Sequence, residues 1–345
     1  MIDISPPVGG VTAAPETVRR RPAQWLRRYR DFSLLPVILL LLLLGFIASP
    51  NFLTADNMLA VLQQSTELSL LVLAEALVLI AGQMDLSLES TIGVAPVIAV
   101  WLVLPSHGGR FNGLGIGLPG WSALPLCLLV GAAIGALIGA LRVKVRLNAF
   151  IVTLGMLITL RGLQTAITGG QSIFQLPSSF TYLGSTSWIG IPASVWVCAM
   201  LFGAGVVGLG WFRHGRALYA VGGNSDAAKA AGIQADRLVW IVFSVAGALA
   251  AFAGILYTGH YGAIAATQGQ GMIFQVFAAT VIGGVSLNGG RGSIFGALTG
   301  AVTLKLIDNV LNFAGVPPVW EQFLDGVIIL GALVVSRFAS GEAQD

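Results

Sequence analysis

Charge is what this sequence has least of. Asp, Glu, Lys and Arg make up 10% of its 345 residues, where a soluble globular domain carries about 25%. So few charges cannot coat a water-facing surface, and a soluble enzyme or nucleic-acid-binding module is excluded. Cysteine is nearly missing as well. Cys127 and Cys198 each fall inside an apolar run without CxxC spacing, so they read as small buried hydrophobes and not as a disulfide or metal pair. The three histidines, His107, His214 and His260, fall in three different expected loops, and no HExxH occurs. No GxxxxGKS/T phosphate loop is present, so the chain does not bind ATP in that manner. GLGIGLPG at 113–120 has no strand before it and makes no dinucleotide site. No Ser–His–Asp arrangement can be argued, and intramembrane catalysis has no support.

What is present in quantity is apolar surface, 56% of residues, and glycine, 45 of them. Crossing a bilayer takes about 20 largely apolar residues in a helix. The expected spans are 33–49, 60–82, 89–105, 122–141, 148–167, 190–211, 239–258, 273–287, 294–312 and 322–337. The fold class is therefore an all-α polytopic membrane protein of about ten transmembrane helices. Residues 1–31 read as a disordered basic cytoplasmic tail, 32–338 as one transmembrane domain, and 339–345 as a cytoplasmic tail. Nothing in the first residues resembles a cleaved signal, and SLLPVILLLLLLGFIAS reads as a retained first span.

Lys and Arg set the orientation. With the N-terminus inside, the inner side collects the six N-terminal arginines, Arg142, Lys144, Arg146, Arg213, Arg216, Lys229, Arg237, Arg291 and Arg337. The outer side receives only Arg110, while Arg161 and Lys305 lie within spans. That asymmetry satisfies the positive-inside rule for an even number of spans with both termini cytoplasmic. Eight or ten spans fit; nine does not. Small residues four apart, Gly131, Gly135 and Gly139 in one span and Gly296 and Gly300 in another, announce close helix packing and speak for a bundle only.

Several polar groups sit where lipid should forbid them, and each needs a partner or a cavity. Lys305, Asp308, Asn309 and Asn312 share one helix face, with Lys305 expected to pair with Asp308. Arg161, Gln164, Thr165 and Thr168 repeat that spacing; Gln63, Gln64 and Glu67 open the second span, with Glu75 two turns on. Most of these groups fall in the outer half of the membrane. Each alone is as readily an interhelical hydrogen bond as a lining residue; their shared depth favours a polar pathway for a hydroxylated solute. The candidate pathway is Gln63, Glu67, Asp85, Asn148, Arg161, Gln164, Lys305, Asp308, Asn309 and Asn312.

A polar island at 213–237, RHGRALYAVGGNSDAAKAAGIQADR, interrupts the apolar chain. It contains a short helix that Asn224 or Ser225 can cap, that Asp226 suits at its positive end, and that Gly232 can close. Orientation alone would need only the basic residues, so an ordered helix here points to something that docks on it.

Four blocks give the chain a resemblance. AGQMDLSLES at 81–90 resembles TGGIDLSVGS; GRALYAVGGNSDAAKAAGIQADR at 215–237 matches G-x-A-x-Y-A-x-G-G-N-x-x-A-A-x-x-x-G-I; VIGGVSLNGGRGSIFGALTGAV at 281–302 and NAFIVTLGMLITLRGLQTAITGG at 148–170 follow, with Trp320 and Gln322 as a further element. Together they resemble the permease subunits of bacterial ABC importers for monosaccharides, the ribose/xylose type, over residues 35–337. Asp85 and Ser87 match the pattern, whereas Gln83 and Glu89 stand where the family usually has glycines. LSLESTIG and LNGGRGSIFG also echo one another faintly, as related turns in two places.

The resemblance implies a second permease subunit, identical or related, and two cytoplasmic ATPase subunits or one fused ATPase that hold ATP and Mg. It further implies a periplasmic sugar-binding protein and residence in the inner membrane, with no cofactor on this chain. The segment 222–232 would be the coupling helix, with Gly222, Gly223, Asn224, Asp226, Ala227, Ala228, Ala231 and Gly232 as its contact residues. A branched-chain amino acid or nucleoside permease of the same superfamily remains the nearest alternative. An ion-coupled secondary transporter or a passive channel would leave the capped helix unexplained.

Overall fold

The structure is a computed structural model that describes residues 34–106, 111–317 and seven further positions between 320 and 331. The N-terminal tail, Arg110, most of span 322–337 and the C-terminal tail lie outside the described residues. Six described helices are long and apolar enough to cross a membrane, and three shorter apolar helices join them. In chain order the helices are α1 (Leu35–Ala48), α2 (Ala55–Ile80), α3 (Leu88–Val103), α4 (Ala123–Val143), α5 (Ala149–Thr168), α6 (Ser178–Ser185) and α7 (Ala193–Trp211). They continue as α8 (Arg213–Gly223), α9 (Ser225–Ala230), α10 (Ala235–Tyr261), α11 (Met272–Ile282) and α12 (Ile294–Phe313). The first nine expected spans each correspond to an apolar helix.

Helix α2 is the axis of the bundle. Every residue from Ser65 to Ala76 is buried, the signature of a helix surrounded by others. Helices α10, α11 and α12 pack around it, and α4 lies along α10. The small-residue stripes find the partners they imply. A β-carbon added at Gly135 would meet the carbonyl of Phe243 on α10, and one at Gly300 the carbonyl of Ala279 on α11. Backbone-to-backbone approach is what glycine at those positions permits.

Two of the three shorter apolar helices are bounded by glycine-bearing turns. Helix α11 has 11 residues, about 16 Å at 1.5 Å per residue, because Gly283 and Gly284 (φ +84°) turn the chain. Helix α3 begins only at Leu88, after a turn over 81–87. The two turns that echo each other in sequence thus each join a pair of helices, α2 to α3 and α11 to α12. A small hairpin, β1 (Ser187–Trp188) and β2 (Ile191–Pro192), precedes α7; Ile189 and Gly190, both at positive φ, form its turn.

Candidate functional site

The end of the bundle that carries the basic loops is where the polar island folds. Asn224 is the cap of α9: its Oδ1 accepts from the Ala227 N–H at 2.9 Å. Gly232, at φ +82°, closes the helix, and the Ile233 N–H reaches back to the Ala228 carbonyl at 3.0 Å. Asp226 sits in the first turn and Lys229 in the last. Lys229 also pairs with Asp236 at 2.9 Å, but both side chains are well exposed and the pair contributes little. Ala227 and Ala231 face outward, whereas Ala228 is buried and seats the helix on the bundle.

Seating continues through the backbone. The turn after α2, the end of α8 and the turn after α11 meet at Gly82, Gly222, Gly289 and Gly290. The Gly290 N–H donates to the Ile80 carbonyl at 3.0 Å, and Tyr219 Oη donates to the Gly292 carbonyl at 2.9 Å. A β-carbon on Gly222 would collide with the Ile80 carbonyl and stand 2.6 Å from the Gly290 nitrogen. Three of the sequence blocks, 81–90, 215–237 and 281–302, therefore converge on one glycine junction. The sequence signal was the glycines in AGQ, VGGN and LNGGRG; their mutual contact was not legible. Beside the junction Gln83 Oε1 accepts from Arg142 Nε at 2.7 Å.

The intramembrane polar groups resolve into separate constellations. Lys305 Nζ donates to Asp308 Oδ2 at 2.9 Å, as the i, i+3 spacing predicts, and also to Gln275 Oε1 of α11 at 3.1 Å. One turn away, Asn309 and Asn57 exchange two amide hydrogen bonds of 3.0 Å, a closed pair that ties α12 to the start of α2. Asn312 is exposed on the same helix.

Arg161 anchors a second group. Its Nη2 lies 3.1 Å from Glu89 Oε1, and its Nη1 donates to the Gln268 carbonyl at 2.9 Å and, more weakly, to Gln164 Oε1 at 3.4 Å. Glu89 Oε2 accepts from the Ile273 N–H at 3.2 Å, and Gln164 Nε2 donates to the Ala265 carbonyl. Buried Gln268 closes the network by donating to the Ile92 carbonyl at 2.9 Å. The clamp ties α3 and α5 to the segment that leads into α11. Thr165, assigned by spacing to the same stripe, is exposed and bonds back to its own helix.

The third group corrects an expectation. His260 does not sit in a loop but in the last turn of α10, where its Nδ1 lies 2.7 Å from Glu67 Oε1. Gln63, one turn from Glu67, donates to the Gly184 carbonyl at 2.7 Å. Two members of the expected pathway stand apart from the outer-half groups. Asn148 is the N-cap of α5, its Oδ1 accepting from the Phe150 N–H at 2.9 Å. Asp85 is buried in the turn after α2, where Oδ1 accepts from both the N–H and the hydroxyl of Ser87 and its own N–H reaches Glu75. Sequence reading missed His260, Gln268, Gln275 and Asn57. Each is one half of a pair whose partner was already conspicuous as a polar residue in lipid.

Lys305 is the most exacting of these groups, since three donors on a cation must be answered inside the bundle. Asp308→Ala should lower the yield of folded protein at least severalfold, because Gln275 carries no charge and Glu67, the other carboxylate near Lys305, is already bonded to His260. Membrane expression followed by size-exclusion profiling reads this; a wild-type profile would show that Lys305 reaches another partner.

The fold is a bundle of apolar helices, six of them long enough to cross a membrane, with a short capped helix held at one end. The model of the family described as branched-chain amino acid transport system / permease component matches residues 57–333, and the chain belongs to that family. It is 33% identical to the ribose import permease of Escherichia coli K12 over 317 residues, 91% of this chain and 94% of that one. The ribose import permease of Haemophilus influenzae is 29% identical over 327 residues, 94% of this chain and 97% of the relative. The autoinducer 2 import system permease of an Enterobacter strain is 33% identical over 314 residues, covering 90% and 87%. No solved structure matches the chain. It is a multi-pass protein of the inner membrane and a transport component.

Proposed function

We propose that this chain is the membrane-spanning subunit of an ATP-driven importer that carries a monosaccharide or related polyol from periplasm to cytoplasm. Ten spans with both termini cytoplasmic, a second permease subunit, separate ATPase subunits and a periplasmic binding protein complete the assembly. The ATP and Mg belong to the ATPase. The observation that carries the reading is α9, capped at both ends and joined directly to the end of α8, whose Gly222 and Gly223 meet by backbone contact the turns that precede α3 and α12. A push on Ala227 and Ala231 passes through Gly222 into those helices without a flexible side chain to absorb it. Switching between outward- and inward-open states follows if ATPase closure favours one arrangement of these helices.

The cargo assignment rests on the ribose permeases among the relatives and on the YAVGGN run. The Glu67–His260 and Lys305–Asp308–Gln275 groups supply donors and acceptors that hydroxyls need. A branched-chain amino acid cargo, which the family description names, is the second reading.

Uptake of labelled pentoses, hexoses, polyols and leucine, with and without this gene, tests both. Loss of one sugar's uptake that fails on ATP depletion yet survives an uncoupler is expected; Ala227→Arg should remove that uptake while ATPase activity persists. Leucine as the cargo, or collapse under the uncoupler with ATP intact, would refute the reading.

A further inference from the structure

We propose that the pocket between the first turns of α8 and α10 binds the phosphodiester headgroup of an anionic phospholipid, with an acyl chain along its apolar wall. The pocket has a volume of about 740 Å³ and is lined by Arg213, His214 and Arg216 from α8 and by Arg237, Leu238 and Ile241 from α10, with the 232–234 turn between them. No carboxylate is among its described lining residues. The nearest acid in sequence, Asp236, is engaged by Lys229.

Among the described residues, the side chains of Arg213, His214 and Arg237 have no hydrogen-bond or ion-pair partner, and Arg216 spends one Nη1 donor on the Trp211 carbonyl at 3.1 Å. The three arginines are exposed, and all three line one cavity. Neither helix that opens onto the pocket has a side-chain cap, so both add the positive ends of their dipoles.

The pocket is also placed for lipid. Trp211 and Phe212, just before α8, are 82% and 59% exposed, as aromatic residues are at a membrane–water boundary. Ile233, Leu238 and Ile241 also line the pocket, an apolar surface that a free phosphate would not use. Gly215 holds the corner tightly, since a β-carbon there would strike the backbone of Leu209. In the proposed orientation this end faces the cytoplasm, and basic pockets at that depth are suited to anionic headgroups.

The test uses the full-length protein in nanodiscs of mixed phosphatidylglycerol and phosphatidylcholine, with retained lipid measured by native mass spectrometry after transfer to detergent. Wild type should retain phosphatidylglycerol over phosphatidylcholine about tenfold, and Arg213→Gln/Arg237→Gln should bring that ratio close to one. Arg213→Lys/Arg237→Lys keeps the charge and should preserve most of the preference. Free sn-glycerol 3-phosphate should not displace the lipid. Equal retention of the two lipids by wild type overturns the proposal whether or not the glutamine variant folds. So does an unchanged ratio in that variant, or displacement by glycerol phosphate.

Discussion

Gly222→Val should leave transport undetectable and little folded protein in the membrane, while the neighbouring Gly223→Ala should fold to wild-type yield. The contrast follows from the contacts. A β-carbon at Gly222 meets two backbones, the Ile80 carbonyl and the Gly290 amide; one at Gly223 meets nothing within 4 Å. Overpacking typically costs about 1–3 kcal/mol where side chains can shift. Here the opposing atoms belong to turns already joined by the Gly290–Ile80 hydrogen bond, so relief requires separating the turns. Fluorescence size-exclusion and uptake of the two variants side by side measure the effect. A folded, active Gly222→Val protein would mean that the junction is looser than its geometry.

Arg161→Met should lower the stability of the purified protein by about 3 kcal/mol, the range found when one partner of a buried ion pair is removed. Glu89→Gln added to it should restore a large part of that loss. The Glu89 side chain is only 8% exposed, so without Arg161 its charge has just the Ile273 N–H for company. Glutamine keeps an acceptor for that N–H and sheds the charge. Thermal unfolding of both single variants and the double variant yields the coupling energy. Additive losses would show that Glu89 and Arg161 act independently and that the clamp holds through Gln268 alone.

This pair also marks where sequence reading stops. Glu89 stands out because its relatives' pattern has glycine there, and Arg161 because lipid should exclude it. Nothing along the chain joins positions 72 residues apart. The same holds for Glu67 with His260 and Asn309 with Asn57. By contrast, Lys305 with Asp308 was legible because helical spacing alone brings them together. The caps of α9 were legible for the same reason: Asn224 and Gly232 act within a few residues of themselves. His260 was misplaced because hydropathy ends a span earlier than the hydrogen-bonded helix does.

The sequence by itself determined that the chain lives in a bilayer, since 10% charge leaves no other solvent for it. It also determined where the apolar helices lie and that the island at 213–237 carries a capped helix. Those are properties of composition and local periodicity. Only the tertiary structure decided that Gly82, Gly222, Gly289 and Gly290 form one junction, that the polar stripes split into separate clamps, and that Arg213, Arg216 and Arg237 face a common pocket. The physical reason is that helical spacing selects the face a side chain occupies, whereas its partner depends on which helix packs against that face. In lipid the need for a partner is absolute, but its identity is a matter of packing.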